Sequence, residues 1–325
     1  MLVSHVSEDI KSVVIGGKKE EEFKITDSIE FYTLLSSNIY SNKKLAVVRE
    51  ILNNAWDAHI TSGKMNIPVD ITINKEELII RDYGNGINPD DMQDIYCTYG
   101  SSTKTADASQ TGGFGLGSKS PWAYSEYFTV TNNHNNVKTV YTAIKGNPIS
   151  KEKPKLITVV SVPTTESGLE VKVPVADISD MGTFISYATE LAVNGGIRAK
   201  LNGNLLDYLD YTKAKYSAVI LKQNNNKSNS TNRDILVKYG NVVYPIPILK
   251  EDDEYNRKIR VIHSFLGNAH SFPLTAILLA EPNTISVTPS RESLELTETT
   301  TKTLHNLMDE FITDFVKKNY SSLYN

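Results

Sequence analysis

The sequence has only one cysteine, Cys97, among its 325 residues. A single cysteine excludes an intrachain disulfide and a cysteine-rich metal site, and it is typical of a protein in a reducing cytosol. The six histidines are scattered and form no HxH or HxxxH pair. We therefore expect no metal site built from cysteine or histidine side chains.

Long apolar runs and a strong charge imbalance are also missing. No run approaches the ~20 apolar residues of a membrane span, and residues 1–14 include acidic side chains without the apolar core of a signal peptide. The 34 basic and 38 acidic residues give a net charge of −4, which provides no general attraction to nucleic acid. These absences predict a cytoplasmic protein without a transmembrane segment.

The length and the hydrophobic patterning predict two domains, at residues 1–178 and 179–325. Apolar residues at helical spacing predict a helix over residues 41–60, and alternating apolar residues predict strands on either side of a polar, mobile loop at 88–111. The remaining predicted elements are strands 69–74 and 77–82, a hairpin at 126–144, strands 156–163 and 168–175, helix 184–193, strands 198–203, 234–246, 258–266 and 284–290, and helix 300–318.

The first predicted helix carries the segment VREILNNAWDAH, which places Glu50, Asn54 and Asp57 at positions i, i+4 and i+7. This spacing brings three polar side chains to one face of the helix, opposite an apolar face. A solvated surface is the ordinary explanation of such a pattern. The motifs that follow in the chain favour a functional site instead.

Two glycine-containing motifs follow this helix. RDYGNGI ends an apolar strand and has Asp82, Gly84 and Gly86 at DxGxG spacing, and TGGFGLGSKSPW at residues 111–122 has four glycines in six residues. The second motif does not fit a P-loop, because Ser118 occupies the lysine position. It does not fit a dinucleotide-binding turn either, because it follows a long polar loop. Each motif alone is ambiguous.

In their order along the chain, ExxxNxxDA, DxGxG and GGFGLG resemble the sequence boxes of the Bergerat-fold (GHKL) ATPases, the superfamily of gyrase B, heat-shock chaperones, histidine kinases and MutL. The resemblance implies an α+β fold: a two-layer α/β sandwich with a mixed sheet and helices on one face, followed by a smaller α/β transducer-like (S5-like) domain. Among families, the chain most resembles the rIIA-type lysis-control proteins of T-even phages, in LSSNIYSNKKLAVVRE, GGFGLGSKSPWAYS and PSRESL.

The resemblance implies ATP and Mg²⁺ as ligands and gives the helix residues their roles. Glu50 would be the base that orients the attacking water. Asn54 would supply one oxygen to Mg²⁺, which takes its other ligands from phosphates and water. Asp57 would lie behind the metal or at the edge of the nucleotide, and a structural salt bridge is its alternative role.

The DxGxG motif would hold the base. By resemblance, Asp82 accepts a hydrogen bond from the adenine amino group, Gly84 and Gly86 keep side chains clear of the base, and Ile87 packs on its face. The alternative role of Asp82 is to cap a turn. Many superfamily members carry a threonine where this sequence has Leu169, so we expect looser adenine recognition unless Ser167 substitutes for that threonine.

The glycine-rich motif would surround the phosphates with backbone N–H groups and begin a helix that faces them. The polar segment before it would be a lid, at about residues 88–117, that closes over the nucleotide. Lysines in this region can equally be solvated charges. The phosphate-contacting candidates are Ser101, Ser102, Lys104, Gly112, Gly113, Phe114, Gly115, Leu116, Gly117 and Lys119.

ISVTPSRESLEL, residues 285–296, is similar to the MutL segment that brings a basic residue to the γ-phosphate. Arg291 holds that position and would act from the second domain, so that ATP binding pulls this domain toward the nucleotide. The alternative role of Arg291 is a surface ion pair with Glu292 or Glu295.

The sequence thus predicts a slow Mg-dependent ATPase that drives a conformational or dimerisation switch. By resemblance, residues 1–25 could be an arm exchanged in an ATP-dependent homodimer. The protein would act on lysis timing or exclusion in the host cytoplasm, with a phage or host (rIIB-like) protein partner and with peripheral membrane association as an option. A non-hydrolysing nucleotide-gated interaction module is the main alternative. A histidine kinase is disfavoured because only His5 precedes the first motif.

Overall fold

The computed structural model describes residues 28, 31–32, 34–99, 115–147, 149–222, 235–268 and 274–317. The described residues include two larger sheets, each with its own hydrophobic core. The larger sheet has eight strands in the order β5-β4-β3-β6-β2-β1-β7-β8. Its strands are β1 (Val69–Ile73), β2 (Glu77–Arg81), β3 (Tyr127–His134), β4 (Val137–Ile144), β5 (Lys155–Pro163), β6 (Gly168–Pro174), β7 (Ala199–Leu201) and β8 (Asn204–Leu205).

The larger sheet is mixed, since β1 and β7 pair in parallel and the other neighbours are antiparallel. The predicted hairpin is confirmed as β3 and β4. Asn135 and Asn136 connect these strands with φ angles of 47° and 64°. Asparagine tolerates this left-handed conformation, which matches the twist of the flanking strands.

The predicted first helix is confirmed as α1 (Lys43–Thr61). It begins after Asn42, whose side chain accepts a hydrogen bond from the backbone N–H of Leu45. It ends just before Gly63, which has a φ of 70° that favours glycine. Apolar side chains of α1, including Leu52, lie in the core of the larger sheet.

The structure corrects the predicted domain boundary at residue 178. A helix at Asp180–Gly195, α3, packs on α1 and places Phe184, Ala188 and Ala192 in the core of the larger sheet. Strands β7 and β8 follow in the same sheet. The change from the first core to the second therefore falls after β8.

Part of the predicted lid is also different from expectation. Pro89–Asp91 form a 3-10 turn and Met92–Cys97 form helix α2. The side chains of Met92 and Tyr96 are buried in the first core, so the beginning of this segment is anchored. Ser101, Ser102, Lys104, Gly112, Gly113 and Phe114 lie outside the described residues, as do residues 1–25.

The smaller sheet has the order β11-β10-β12-β9, and only β10 and β12 pair in parallel within it. A third, two-stranded sheet joins β13 and β14. The elements are β9 (Ala218–Lys222), β10 (Ile235–Tyr239), β11 (Val242–Pro245), α4 (Asp253–Asn268), β12 (Leu274–Leu279), β13 (Ser286–Val287), β14 (Leu294–Glu295) and α5 (Glu298–Phe311), which continues as a π-helix at Ile312–Lys317.

The predicted strand at 258–266 is wrong, because this segment lies within helix α4. Tyr255, Ile259, Ile262 and Leu266 are buried in the second core, and their spacing is that of one helix face. Helices α4 and α5 pack against each other and on β12.

The chain therefore has a Bergerat-type mixed α/β domain and a second, smaller α/β domain. No described helix meets the length and hydropathy of a membrane span.

Candidate active site

A cavity of about 460 Å³ lies among α1, β2, β6, α2, the glycine-rich segment and a loop of the second domain. This volume is within the range of pockets for small molecules. All three sequence motifs and the second-domain arginine reach it. The predicted residues that line the cavity are Glu50, Asn54, Asp57, Asp82, Gly86, Ile87, Gly115, Leu116, Gly117 and Arg291.

At one end of the cavity, the Glu50 carboxylate lies between two arginines. Its Oε2 atom is 3.0 Å from Nη1 of Arg291, and its Oε1 atom is 3.2 Å from Nε of Arg49. The three residues are only 2%, 6% and 3% exposed, respectively. Arg291 therefore pairs with Glu50, and its alternative pairing with Glu292 or Glu295 is wrong. Two positive charges and one negative charge make this end of the cavity electropositive.

The loop that carries Arg291 is docked on the first domain by its neighbours as well. The Ser290 carbonyl accepts a hydrogen bond of 2.6 Å from Nη2 of Arg49. The Glu292 carboxylate accepts hydrogen bonds from the backbone N–H groups of Ser41 and Asn42, at 2.9 and 2.8 Å. Three consecutive residues of the second domain thus contact the start of α1 or the side chains that it carries.

Gly117 lies against the catalytic candidates, so a side chain there would displace the Glu50 carboxylate. A Cβ atom there would lie 2.7 Å from Oε2 of Glu50 and 3.6 Å from Nδ2 of Asn54. The missing side chain leaves space beside one carboxylate and one amide. Among the described residues there is no group of three His, Cys, Asp or Glu residues suited to a metal. This donor set fits a Mg²⁺ ion that takes most of its ligands from phosphates and water.

Asp82 lies at another part of the cavity wall and is buried. Its Oδ1 atom accepts hydrogen bonds from the backbone N–H groups of Gly84 and Leu169, at 2.8 and 3.2 Å. Within the described part of the chain, Oδ2 accepts no hydrogen bond. Burial raises the pKa of Asp82 to about 6, although these two hydrogen bonds act in the opposite direction.

Packing also explains why both positions of the DxGxG motif are glycine. A Cβ atom on Gly86, which has a φ of 70°, would lie 2.4 Å from the carbonyl oxygen of Asn133. A Cβ atom on Gly84 would lie 3.0 Å from the Cβ atom of Ala58. Gly84 is not among the residues that line the cavity, so its contact is with α1.

Lys64 and His59 hold the segment that follows Asp82. The Lys64 ammonium donates to the Tyr83 carbonyl at 2.6 Å, to the Gly84 carbonyl at 3.2 Å and to the Ser167 hydroxyl at 3.1 Å. Nε2 of His59 accepts from the Tyr83 N–H group at 2.7 Å. Ser167 therefore contacts the segment after Asp82, through Lys64 and through its own hydrogen bond to the Tyr83 carbonyl. The hydrogen bond to Asp82 from β6 comes from the backbone of Leu169.

Lys119 is buried rather than solvated, so one of its two expected roles is wrong. Its ammonium donates to the carbonyl oxygens of Ile95, Thr98 and Gly115, at 2.6, 2.8 and 2.9 Å. Burial lowers its pKa to about 8. In this arrangement all three N–H groups join α2 to the glycine-rich segment, and a phosphate contact would require one of them to change partner.

Asp57 lines the cavity and accepts a hydrogen bond of 3.1 Å from Nδ2 of Asn241, in the turn between β10 and β11. A second contact between the two domains therefore reaches the motif helix. No sequence pattern indicated Asn241, because a turn asparagine has many ordinary roles.

Several cavity residues were not predicted. Tyr40 precedes the motif helix, so it lies outside the quoted spacing pattern. Arg49 contacts Glu50 but is not part of the cavity lining, and no motif includes it. The other unpredicted polar residues and prolines that line the cavity are Thr61, Asn85, Tyr96, Ser118, Pro121 and Pro289.

Residues 41–179 match the family model of the histidine kinase-, DNA gyrase B- and HSP90-like ATPases. The matched segment runs from the start of α1 to just beyond β6 and contains all three motifs. A comparison with curated proteins gave no match. This segment, which is less than half of the chain, is therefore similar to the GHKL-type ATPases.

Proposed function

We propose that the protein binds Mg-ATP in this cavity, hydrolyses it slowly and uses the nucleotide to change the contact between its two domains. The observation that carries the proposal is the position of Arg291. A residue of the second domain reaches the predicted catalytic carboxylate, Glu50, inside a cavity built from the motifs of the first domain.

The charges along the cavity wall indicate which end would bind the phosphates and which would bind the base. Arg49 and Arg291 make one end electropositive, which suits the phosphates. Asp82 offers a carboxylate oxygen elsewhere on the wall, which suits the amino group of adenine. The base would therefore lie against Asp82, Gly86 and Ile87, with the phosphates toward Glu50.

The paired arginines suggest how hydrolysis would begin. While Glu50 accepts hydrogen bonds from Arg49 and Arg291, its carboxylate is occupied. A γ-phosphate would compete for Arg291, because a phosphate offers a guanidinium more acceptor oxygens than a carboxylate does. The released Oε2 atom of Glu50 would then orient the attacking water.

Asn54 would hold Mg²⁺ in this account, with Gly115, Leu116 and Gly117 presenting backbone to the phosphates. When bound, the metal neutralises phosphate charge. The space above Gly117, beside Asn54 and Glu50, supports this placement.

The switch extends, in our proposal, to a homodimer that forms with ATP and uses residues 1–25 as an exchanged arm. An rIIA-type role in phage lysis timing or exclusion, in the host cytoplasm with an rIIB-like partner, rests on the quoted sequence stretches alone. Light scattering with a non-hydrolysable ATP analogue tests the dimer hypothesis. The hypothesis predicts that the analogue doubles the molecular mass of the protein in solution.

One observation favours the non-hydrolysing alternative. Each oxygen of Glu50 accepts a hydrogen bond from a buried arginine, and a glutamate that keeps both partners is less available to an attacking water. A nucleotide-gated interaction module would then bind ATP and change its domain contact without turnover.

Binding and phosphate release together separate these two functions. We expect wild-type protein to bind an ATP analogue in a Mg²⁺-dependent manner and to release phosphate from ATP. Asn54→Ala should weaken Mg²⁺-dependent binding but leave binding in EDTA unchanged. The control is Asn306→Ala, at an exposed asparagine of α5 outside the cavity lining. Nucleotide binding without any phosphate release would favour the non-hydrolysing module. If Asn54→Ala binds the analogue with Mg²⁺ as tightly as wild type, the metal assignment is refuted.

A further inference from the structure

Tyr40 is a cavity residue that no motif includes. It directly precedes α1 and is 5% exposed. Its side chain packs with Ala46 on α1 and with Ala123 in a 3-10 helix, Gly117–Ala123, that begins at the last glycine of the glycine-rich segment. Because two elements hold the ring, its position at the cavity wall is fixed.

The hydroxyl group of Tyr40 has no hydrogen-bond partner among the residues that the structure describes. A buried phenol usually finds a partner, because an unmade hydrogen bond in a protein interior is costly. Tyr40 lines a cavity large enough for a ligand, so a bound molecule can supply the missing partner.

The neighbours of Tyr40 indicate the kind of partner. Burial and then the Glu50 carboxylate raise the pKa of Tyr40, while Arg49 and Arg291 act in the opposite direction. The phenol therefore stays protonated at neutral pH and is a hydrogen-bond donor. It lies near the two arginines, at the electropositive end of the cavity, where an anionic acceptor is favoured.

We propose that the Tyr40 hydroxyl donates a hydrogen bond to the terminal phosphate of a bound nucleoside triphosphate. This inference rests on the proposed function and adds a residue to it. Tyr40 then helps the protein to distinguish a triphosphate from a diphosphate, because ADP lacks the group that accepts this hydrogen bond. It also joins the glycine-rich side of the cavity to the end where Arg291 enters.

Tyr40→Phe tests the proposal, since it removes one oxygen and keeps the packing of the ring. We expect its affinity for a non-hydrolysable ATP analogue to fall about tenfold, the usual size for a hydrogen bond to a charged group. Its affinity for ADP should change by less than about twofold. The matched control is Tyr255→Phe, a buried tyrosine of the second core whose hydroxyl also lacks a described partner.

The outcomes separate this inference from the proposed function. An unchanged analogue affinity, or an equal loss for the analogue and for ADP, would overturn the role of Tyr40 and leave ATP binding intact. A wild-type protein that binds neither nucleotide would overturn both. Retained ADP binding by Tyr40→Phe shows that the variant is folded.

Discussion

Nη1 of Arg291 lies 3.0 Å from Oε2 of Glu50, although 241 residues separate them in the chain. The two residues belong to different cores, and both are buried. A buried ion pair holds its partners in one geometry, and removal of either partner leaves an uncompensated charge. In this protein the pair is a direct contact between the second domain and the wall of the cavity.

Arg291→Met should abolish most ATP turnover. An electrostatic contact made to the transferring phosphate is usually worth a factor of about 100 or more in kcat. We expect at least this loss in phosphate release, with a smaller effect on ADP binding. Arg260→Met changes an exposed arginine of the same domain and should retain wild-type turnover. Equal rates for wild type and Arg291→Met would refute the role of this arginine.

Glu292→Gln should weaken the docking of the second-domain loop at low cost to the fold. Burial opposes ionisation of this side chain, but hydrogen bonds from the backbone N–H groups of Asn42 and Ser41 hold its pKa below the usual value. Weakening a hydrogen bond to a charged acceptor costs about 1 kcal/mol or somewhat more. Urea unfolding at pH 7 should show a loss of this size.

The same residue gives a pH dependence with a definite sign. Because the folded-state pKa of Glu292 is depressed, its contribution to stability is present above its unfolded-state pKa of about 4.3 and is lost as the pH falls through the folded-state value. The difference in unfolding free energy between wild type and Glu292→Gln should therefore shrink below about pH 4. A difference that stays constant to pH 3 would contradict this.

Nucleotide affinity should decrease in mild acid because of Asp82. Burial raises the pKa of this side chain to about 6. A carboxylate accepts a hydrogen bond from an amino group, and protonation removes part of that capacity. We expect weaker binding of the ATP analogue at pH 5 than at pH 7.5, by calorimetric titration. Asp82→Asn should bind weakly at both values. A wild-type affinity that does not change with pH would argue against contact between Asp82 and the base.

Lys119→Met should destabilise the protein by about 3 kcal/mol, because three carbonyl oxygens lose a charged donor. Lys213→Met, at a largely exposed lysine, should have little effect on unfolding. If Lys119→Met unfolds like wild type but binds the ATP analogue poorly, then Lys119 contacts phosphate and its role in the fold is minor.

The sequence predicted the part of the fold where pattern and motif coincide. Helix α1 and strands β1 to β6 have clear hydrophobic periodicity. Glu50 and Asn54 lie one helical turn apart, and Asp82 begins the DxGxG motif, so these residues could be identified from their spacing. The segment of α4 was mistaken for a strand because KIRVIHSFL alternates apolar and polar residues over a short window. Only the full 16-residue helix shows the spacing of its buried residues.

Long-range partners were the least predictable feature. Arg291 was expected in the cavity, but its contact with Glu50 depends on how two cores meet. The domain boundary was misplaced because helix α3 follows β6 directly and returns to the same core, with no change in composition to mark the return. Tyr40 enters the cavity from outside every motif, so spacing alone could not identify it.

The most direct test of the account is the rate of phosphate release from Mg-ATP by Glu50→Ala, beside wild type and beside Glu126→Ala, which removes an exposed carboxylate outside the cavity. We predict slow but measurable release by wild type and Glu126→Ala. Glu50→Ala should release phosphate at least about 100-fold more slowly, while it still binds the ATP analogue. Full turnover by Glu50→Ala would contradict the account, since the reaction would then not depend on the carboxylate that Arg291 contacts.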